Sequence, residues 1–228
     1  MSRLIKPQIH IFFPEASHRG NKIDLCEYFF IKHSFQRQVT KARIVAYAED
    51  FEKDFNNAIK EKNKKKSLTS HDLFFIVLDT DIHANRANIA TITSQIHLLN
   101  NKYGKDAKII LSGRSFEVWL CMYGRQQYTT PYTSQINLNN DVISMYEKKE
   151  KWYIENAKRL YDQYSNAKEA SKLSKQNVYN STPNPPPDGN DLINILPDFS
   201  NYTVIDYLVN TTPFTYIEHL IDSIKQYE

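Results

Sequence analysis

Cysteine is scarce in this chain, with two among 228 residues, Cys26 and Cys121. So sparse a pair does not make a disulfide scaffold, and neither residue has a second Cys or a His at metal-ligand spacing, which argues against zinc. Both are expected to stay thiols in a reducing, cytoplasmic compartment. Long apolar runs are missing too. Nothing approaches the roughly 18 consecutive apolar residues that a membrane span needs, so no membrane partner is expected. The opening Met1-Ser-Arg-Leu-Ile-Lys-Pro7 has neither a long apolar core nor a small-residue cleavage site, and no secretory signal is read there. The Asn-x-Ser/Thr triplets at Asn180, Asn201 and Asn210 are discounted for the same reason. Excess charge of one sign is also lacking: a net charge of +3 does not by itself identify a nucleic-acid partner, so local clustering has to decide. No internal repeat is found.

What is present is the composition of an ordinary folded protein, 41% hydrophobic and 24% charged. A chain of this length holds one α/β domain of about 100 to 150 residues plus an appendage. Gln8-Ile-His-Ile-Phe-Phe13 is a first strand closed by Pro14-Glu15, and Lys22 to Phe35 carries Leu25, Phe29 and Phe30 at helical spacing. Ala42 to Ala48 is a second strand. Glu49-Asp50 opens a helix with Phe51, Phe55, Ala58 and Ile59 on one face, running out in a lysine-rich end, Lys60 to Lys66. Asp72-Leu-Phe-Phe-Ile-Val-Leu-Asp79 has no polar alternation inside it, the pattern of a strand buried on both faces of a parallel sheet. Arg86 to Asn101 spaces Ile89, Ile92, Ile96 and Leu99 as an amphipathic helix; Ala107 to Leu111 is a fourth strand, and Phe116 to Leu120 a helix. Strands alternating with helices predict an α/β fold: an open parallel four-stranded sheet with right-handed crossovers and helices on its faces.

From Asp141 a long helix is expected, its stripe of Tyr153, Ala157, Leu160, Tyr161, Tyr164 and Ala167 serving as a packing face. Residues 175–191, with Asn184-Pro-Pro-Pro-Asp-Gly189, are expected to form a Pro-rich loop, and Phe214 to Ile224 to resume a helix. The domain reading is 1–125 for the sheet domain and 126–228 for a helical C-terminal region.

Ligands in open α/β sheets bind beyond the carboxyl ends of the strands. Three acids fall there: Glu15 after the first strand, and Asp79 and Asp81, which repeat at the two-residue period of extended chain and so can share one cation. Hard oxygen donors in this number suit Mg2+ or Mn2+. The plainer reading makes Asp79-Thr80-Asp81 a capped strand end, with Asp81 or Asn85 starting the next helix. Arg114, beside the acids, is the candidate phosphate-binding residue because its guanidinium can fork onto two oxygens. His18, Arg19, His71 and His83 are expected to flank the same edge. Lys60, Lys62, Lys64, Lys65 and Lys66 are read as a solvated helix end.

The order of strand, Glu15, strand, Asp79-x-Asp81 resembles the Toprim domain, and more closely the RloB/AbiLii-like Toprim proteins of bacterial phage-defence operons. The residues that carry this are Phe12-Phe-Pro-Glu15-Ala16, Glu27-Tyr-Phe29, Val77-Leu-Asp79-Thr-Asp81 and Leu111-Ser-Gly-Arg-Ser-Phe-Glu-Val-Trp-Leu120, with Thr212-Pro-Phe-Thr-Tyr-Ile217 similar to the family's closing Asn-Pro-x-Thr segment. Ala16 replaces an expected glycine, the loop from Ser17 to Ile23 is long, and Gly113-Arg114 stands where Asn-Pro is usual. The resemblance implies a Mg2+- or Mn2+-dependent endonuclease cleaving RNA such as tRNA, or DNA, as the effector of an antiviral defence system controlled by a partner ATPase. It implies that Asp79 and Asp81 hold the metal, that Glu15 completes the metal site or acts as general base, and that Glu117 orients a ligand or second ion. For Glu117 the competing role is an acid favoured by a helix N-terminus, and for Glu27 a solvated helix face; Asp24 and Glu27 compete for the second carboxylate. The departures leave an alternative, a catalytically degenerate Toprim scaffold that docks the ATPase.

Overall fold

The computed structural model of the protein describes residues 6–14, 26–47, 49–64, 71–80, 86–113, 115–124, 150–187, 189–211 and 214–228. Four strands, β1 (Gln8–Phe12), β2 (Arg43–Tyr47), β3 (Leu73–Asp79) and β4 (Lys108–Ser112), form an all-parallel sheet in the order β2-β1-β3-β4. Register is set by Ile9 opposite Ile44 and Leu73, and by Asp79 opposite Ser112. The apolar runs of the sequence are apolar because both faces are covered. Ile9, Ile11, Phe75, Val77 and Ile110 enter one cluster, while Phe12, Phe74, Ile76, Ile109 and Leu111 enter a second on the opposite face.

The second cluster is closed by α2 (Phe51–Lys64), α3 (Arg86–Tyr103) and α8 (Tyr202–Asn210), with Phe55, Ile96 and Ile205 buried. On the first face lie α1 (Cys26–Phe30), a π-helical turn that continues it (Ile31–Phe35), and α4 (Glu117–Cys121). Helices α5 (Glu150–Asp162), α6 (Tyr164–Ser181) and α9 (Ile217–Lys225) add Tyr153, Leu160, Tyr164, Ala167, Ile217 and Leu220 to that same cluster. The tyrosine stripe is therefore a packing face, as its spacing suggested. Cys26 and Cys121 form no disulfide, and no helix among the described residues is long and apolar enough to cross a membrane.

The C-terminal third corrects the sequence reading in three places. The helix continues through residues 175–181, which were expected to be loop, since Lys175 to Ser181 contains no proline and Val178 is buried; the chain leaves α6 only at Thr182, before Pro183. The short α7 (Gly189–Asn194) then begins inside the expected Pro-rich loop and runs past its end at 191, with Leu192 and Ile193 buried. Helix α8 was not anticipated; Asn201 caps it, its side-chain oxygen accepting from the amides of Thr203 and Val204. The part of the long helix expected at 141–149 lies outside the described residues.

On α9, burial pushes the His219 imidazole below its ordinary value of 6.5; Lys175 and Lys168 push the same way, and Glu218 and Asp222 oppose them. The neutral form is favoured in the folded state, so the unfolded chain takes up the proton first. His219 thus contributes stability that is complete above pH 6.5 and declines as the pH falls below it. His219→Asn is expected to flatten the decline of the thermal midpoint between about pH 6.5 and 5, measured against the parent protein.

Candidate functional site

A parallel sheet gathers the carboxyl ends of its strands along one edge, and here that edge is where β3 delivers Asp79. Asp79 is half-buried. Its Oδ2 accepts the backbone N–H of Phe116 at 3.0 Å, which fixes the carboxylate against the start of α4. Glu117, the next residue, is the first of α4 and is 6% exposed. The structure thus brings Asp79 and Glu117 together from two separate strand ends. Both readings of Glu117 meet here, because an acid at a helix N-terminus is favoured by the local dipole and still stands at the acid edge.

The remaining predicted site residues, Glu15, Asp81 and Arg114, lie outside the described residues, as do Asp24, His18, Arg19 and His83. Their described neighbours are at this edge: Pro14 follows β1, the Thr80 amide donates to Ser112 O at 3.0 Å, and Gly113 and Ser115 follow β4. Among the described residues no group of three or more His, Cys, Asp or Glu could hold a metal ion. The donor set of the sequence reading, Asp79 with Glu15 and Asp81, consists of carboxylate oxygens, which fit Mg2+ or Mn2+ and not a thiophilic metal.

Two placements differ from expectation. Glu27 is 9% exposed on α1, not on a solvated face. His71 precedes β3 and therefore sits at the amino edge of the sheet, a strand length of roughly 20 Å from Asp79. The described part of the lysine run is the solvated end of α2 that the sequence suggested, and it lies at that amino edge as well, since a crossover helix runs antiparallel to the strands it joins; Lys62 Nζ lies 4.8 Å from the Phe74 ring centre, and Lys64 pairs with Glu61 at 2.9 Å. Phosphate contacts at the acid edge cannot come from Lys60, Lys62 or Lys64; Lys65 and Lys66 lie outside the described residues.

Sequence reasoning also missed how the edge is closed. Residues 214–216 run antiparallel along the end of β4: Gly113 N donates to Phe214 O at 2.9 Å, Tyr216 N to Leu111 O at 3.0 Å, and the hydroxyls of Ser112 and Thr215 are 3.0 Å apart. Both hydroxyls are buried. The described residues 111–113 and 214–216 of the two motif segments, a hundred residues apart in the chain, are thus partners in space. Their shared resemblance to one family was the only sequence signal of it.

Gly113 is required by this contact. A Cβ there would come within 2.5 Å of Phe214 Cε1, inside the ring's contact distance. Gly113→Ala is expected to destabilise by about 1–3 kcal/mol, a loss of roughly 2–12 °C in thermal midpoint, readable by circular dichroism.

A family model described as RloB-like protein matches residues 15–223, most of the chain. No curated protein and no solved structure matches it.

Proposed function

From the premise that the chain belongs to the RloB-like protein family, we propose that it is a metal-dependent Toprim endonuclease, the effector of a bacterial antiviral defence system under the control of a partner ATPase. The substrate class is nucleic acid, RNA such as tRNA, or DNA. The observation that carries the reading is the seating of Asp79: a half-buried carboxylate at the carboxyl end of an interior strand, oriented by the Phe116 amide and followed in space by buried Glu117. Side chains held this way are positioned before any ligand arrives, as a hydrolytic site requires.

In this scheme Asp79 and Asp81 hold Mg2+ or Mn2+, and Glu15 completes the metal site or takes the proton from the attacking water. The ion, when bound, supplies Lewis acidity for phosphodiester hydrolysis. Glu117 orients a ligand from the start of α4, and Arg114 forks onto phosphate oxygens.

The experiment is a cleavage assay on purified protein with its partner ATPase present, with tRNA and with DNA, in Mg2+ and again after chelation. Cleavage of one substrate that disappears with the chelator is the expected result. Intact tRNA and intact DNA in saturating metal would overturn the proposal and leave a non-catalytic docking scaffold.

A further inference from the structure

Helix α6 carries a charged side chain that the site does not use and that a packed core would ordinarily exclude. Lys175 is 5% exposed and forms an ion pair with Glu218 of α9, itself 4% exposed. Nothing in a helix–helix contact requires such a pair. Removing two charges from water is so unfavourable that apolar residues of similar volume serve as well or better. What the pair does achieve is visible in its other contacts. Lys175 Nζ donates to Thr215 O at 3.3 Å and lies 4.5 Å from the Tyr216 ring centre. Ser171, one helical turn earlier, places its hydroxyl 3.4 Å from Thr215 O and 3.3 Å from Glu218 Oε2. Tyr164 donates to Glu218 O at 3.0 Å and to Asp222 Oδ1 at 2.7 Å. All of these polar groups converge on residues 215–222.

Thr215 is the residue that meets the acid edge. It is fully buried, its hydroxyl is 3.0 Å from that of Ser112, and Ser112 is the register partner of Asp79 and accepts the Thr80 amide. We propose that Lys175 and Glu218 are positioning residues for Asp79: the buried pair holds the Thr215 backbone, Thr215 holds Ser112, and Ser112 sets the end of β3 from which Asp79 projects. The C-terminal helices in this way determine how the acid edge is presented. The functional meaning of the coupling rests on the nuclease reading; the coupling itself does not.

The test is amide hydrogen exchange on the full chain, comparing the parent with Lys175→Met/Glu218→Leu, which removes both charges together, and with Thr215→Val. In both variants protection is expected to fall roughly tenfold or more at Phe116, Thr80 and Gly113 while staying unchanged at Ile11, Phe75 and Val77 in the centre of the sheet. Unchanged protection at Phe116 and Thr80, or an equal loss at every amide, would mean that the pair only supports the fold and would overturn the proposal. Should the double variant not fold, Lys175→Gln and Glu218→Gln, which each remove one charge and keep a polar side chain, are measured in its place with the same two outcomes. Cleavage measured on the same samples separates the two claims: a selective exchange pattern in a protein that cleaves nothing removes the nuclease reading and leaves the positioning role standing.

Discussion

Asp79→Asn is expected to reduce metal-dependent cleavage by more than the roughly 10- to 100-fold that losing an outer-shell partner of a metal ligand typically produces. Asparagine keeps the shape of the side chain and an oxygen that can accept the Phe116 amide, a bond of 3.0 Å in the parent. The fold should therefore be retained. What disappears is the negative charge, and with it one of the carboxylates proposed to hold Mg2+ or Mn2+. The same substitution separates binding from chemistry. A protein in metal at a hundred times the dissociation constant gains about 2.7 kcal/mol. At roughly 2–4 °C per kcal/mol for a chain of this size, the parent should rise by about 5–11 °C in Mn2+. Asp79→Asn should rise far less. A parent that shows no shift at millimolar Mn2+ has no working metal site at this edge. Asp79→Ala should show the same catalytic loss together with a stability loss of about 1 kcal/mol, because the acceptor for the Phe116 amide goes as well.

Trp119→Ala is the substitution expected to do most harm to the fold. Trp119 is fully buried in α4, its ring 6.3 Å from that of Phe30, 5.7 Å from Tyr123 and 6.2 Å from Tyr164. These neighbours come from α1, from the end of α4 and from α6, so the space left by the indole cannot be closed by moving one element. A loss of about 3–5 kcal/mol is expected, a large share of the roughly 5–15 kcal/mol that holds a domain together. Chemical denaturation would read it as a lower midpoint with an unchanged slope. Trp119→Phe should lose less than half as much. The result would define what this residue of the Phe116-Glu-Val-Trp-Leu120 segment is for: it anchors the helix whose first residues face Asp79.

The parts of the fold that could be read from residues alone are those where one physical demand dominates. Phe74 to Leu78 has no polar alternation because both faces of β3 are covered, and that pattern leads to Asp79 at a strand end. Placement relative to other strands is a different matter. His71 is expected at the acid edge, yet it precedes β3, and the seven residues of that strand separate the two edges of the sheet. Composition misled at residues 175–181, where the prolines downstream set the expected end of a helix that in fact runs to Ser181, two residues short of Pro183. Glu27 shows the opposite failing: a glutamate on a short helix is usually solvated, and only the packing of α1 onto the sheet determines that this one is buried. The Lys175–Glu218 pair was illegible in principle, since neither residue has any periodicity, spacing or motif to mark it, and 43 positions separate them.

The strand order has a consequence for how this molecule behaves in a crowded solution. Among the described residues β1 and β3 are inside and β2 and β4 are the outer strands, each five residues long, and each opens on an exposed cation, Arg43 and Lys108. The far end of β4 is already occupied by residues 214–216. A second copy approaching either margin in parallel would bring like charges together, and in either direction it would find only a very short ladder of bonds. Short, charged margins of this kind discourage lateral growth of a sheet, which matters in a chain with thirteen aromatic residues per hundred.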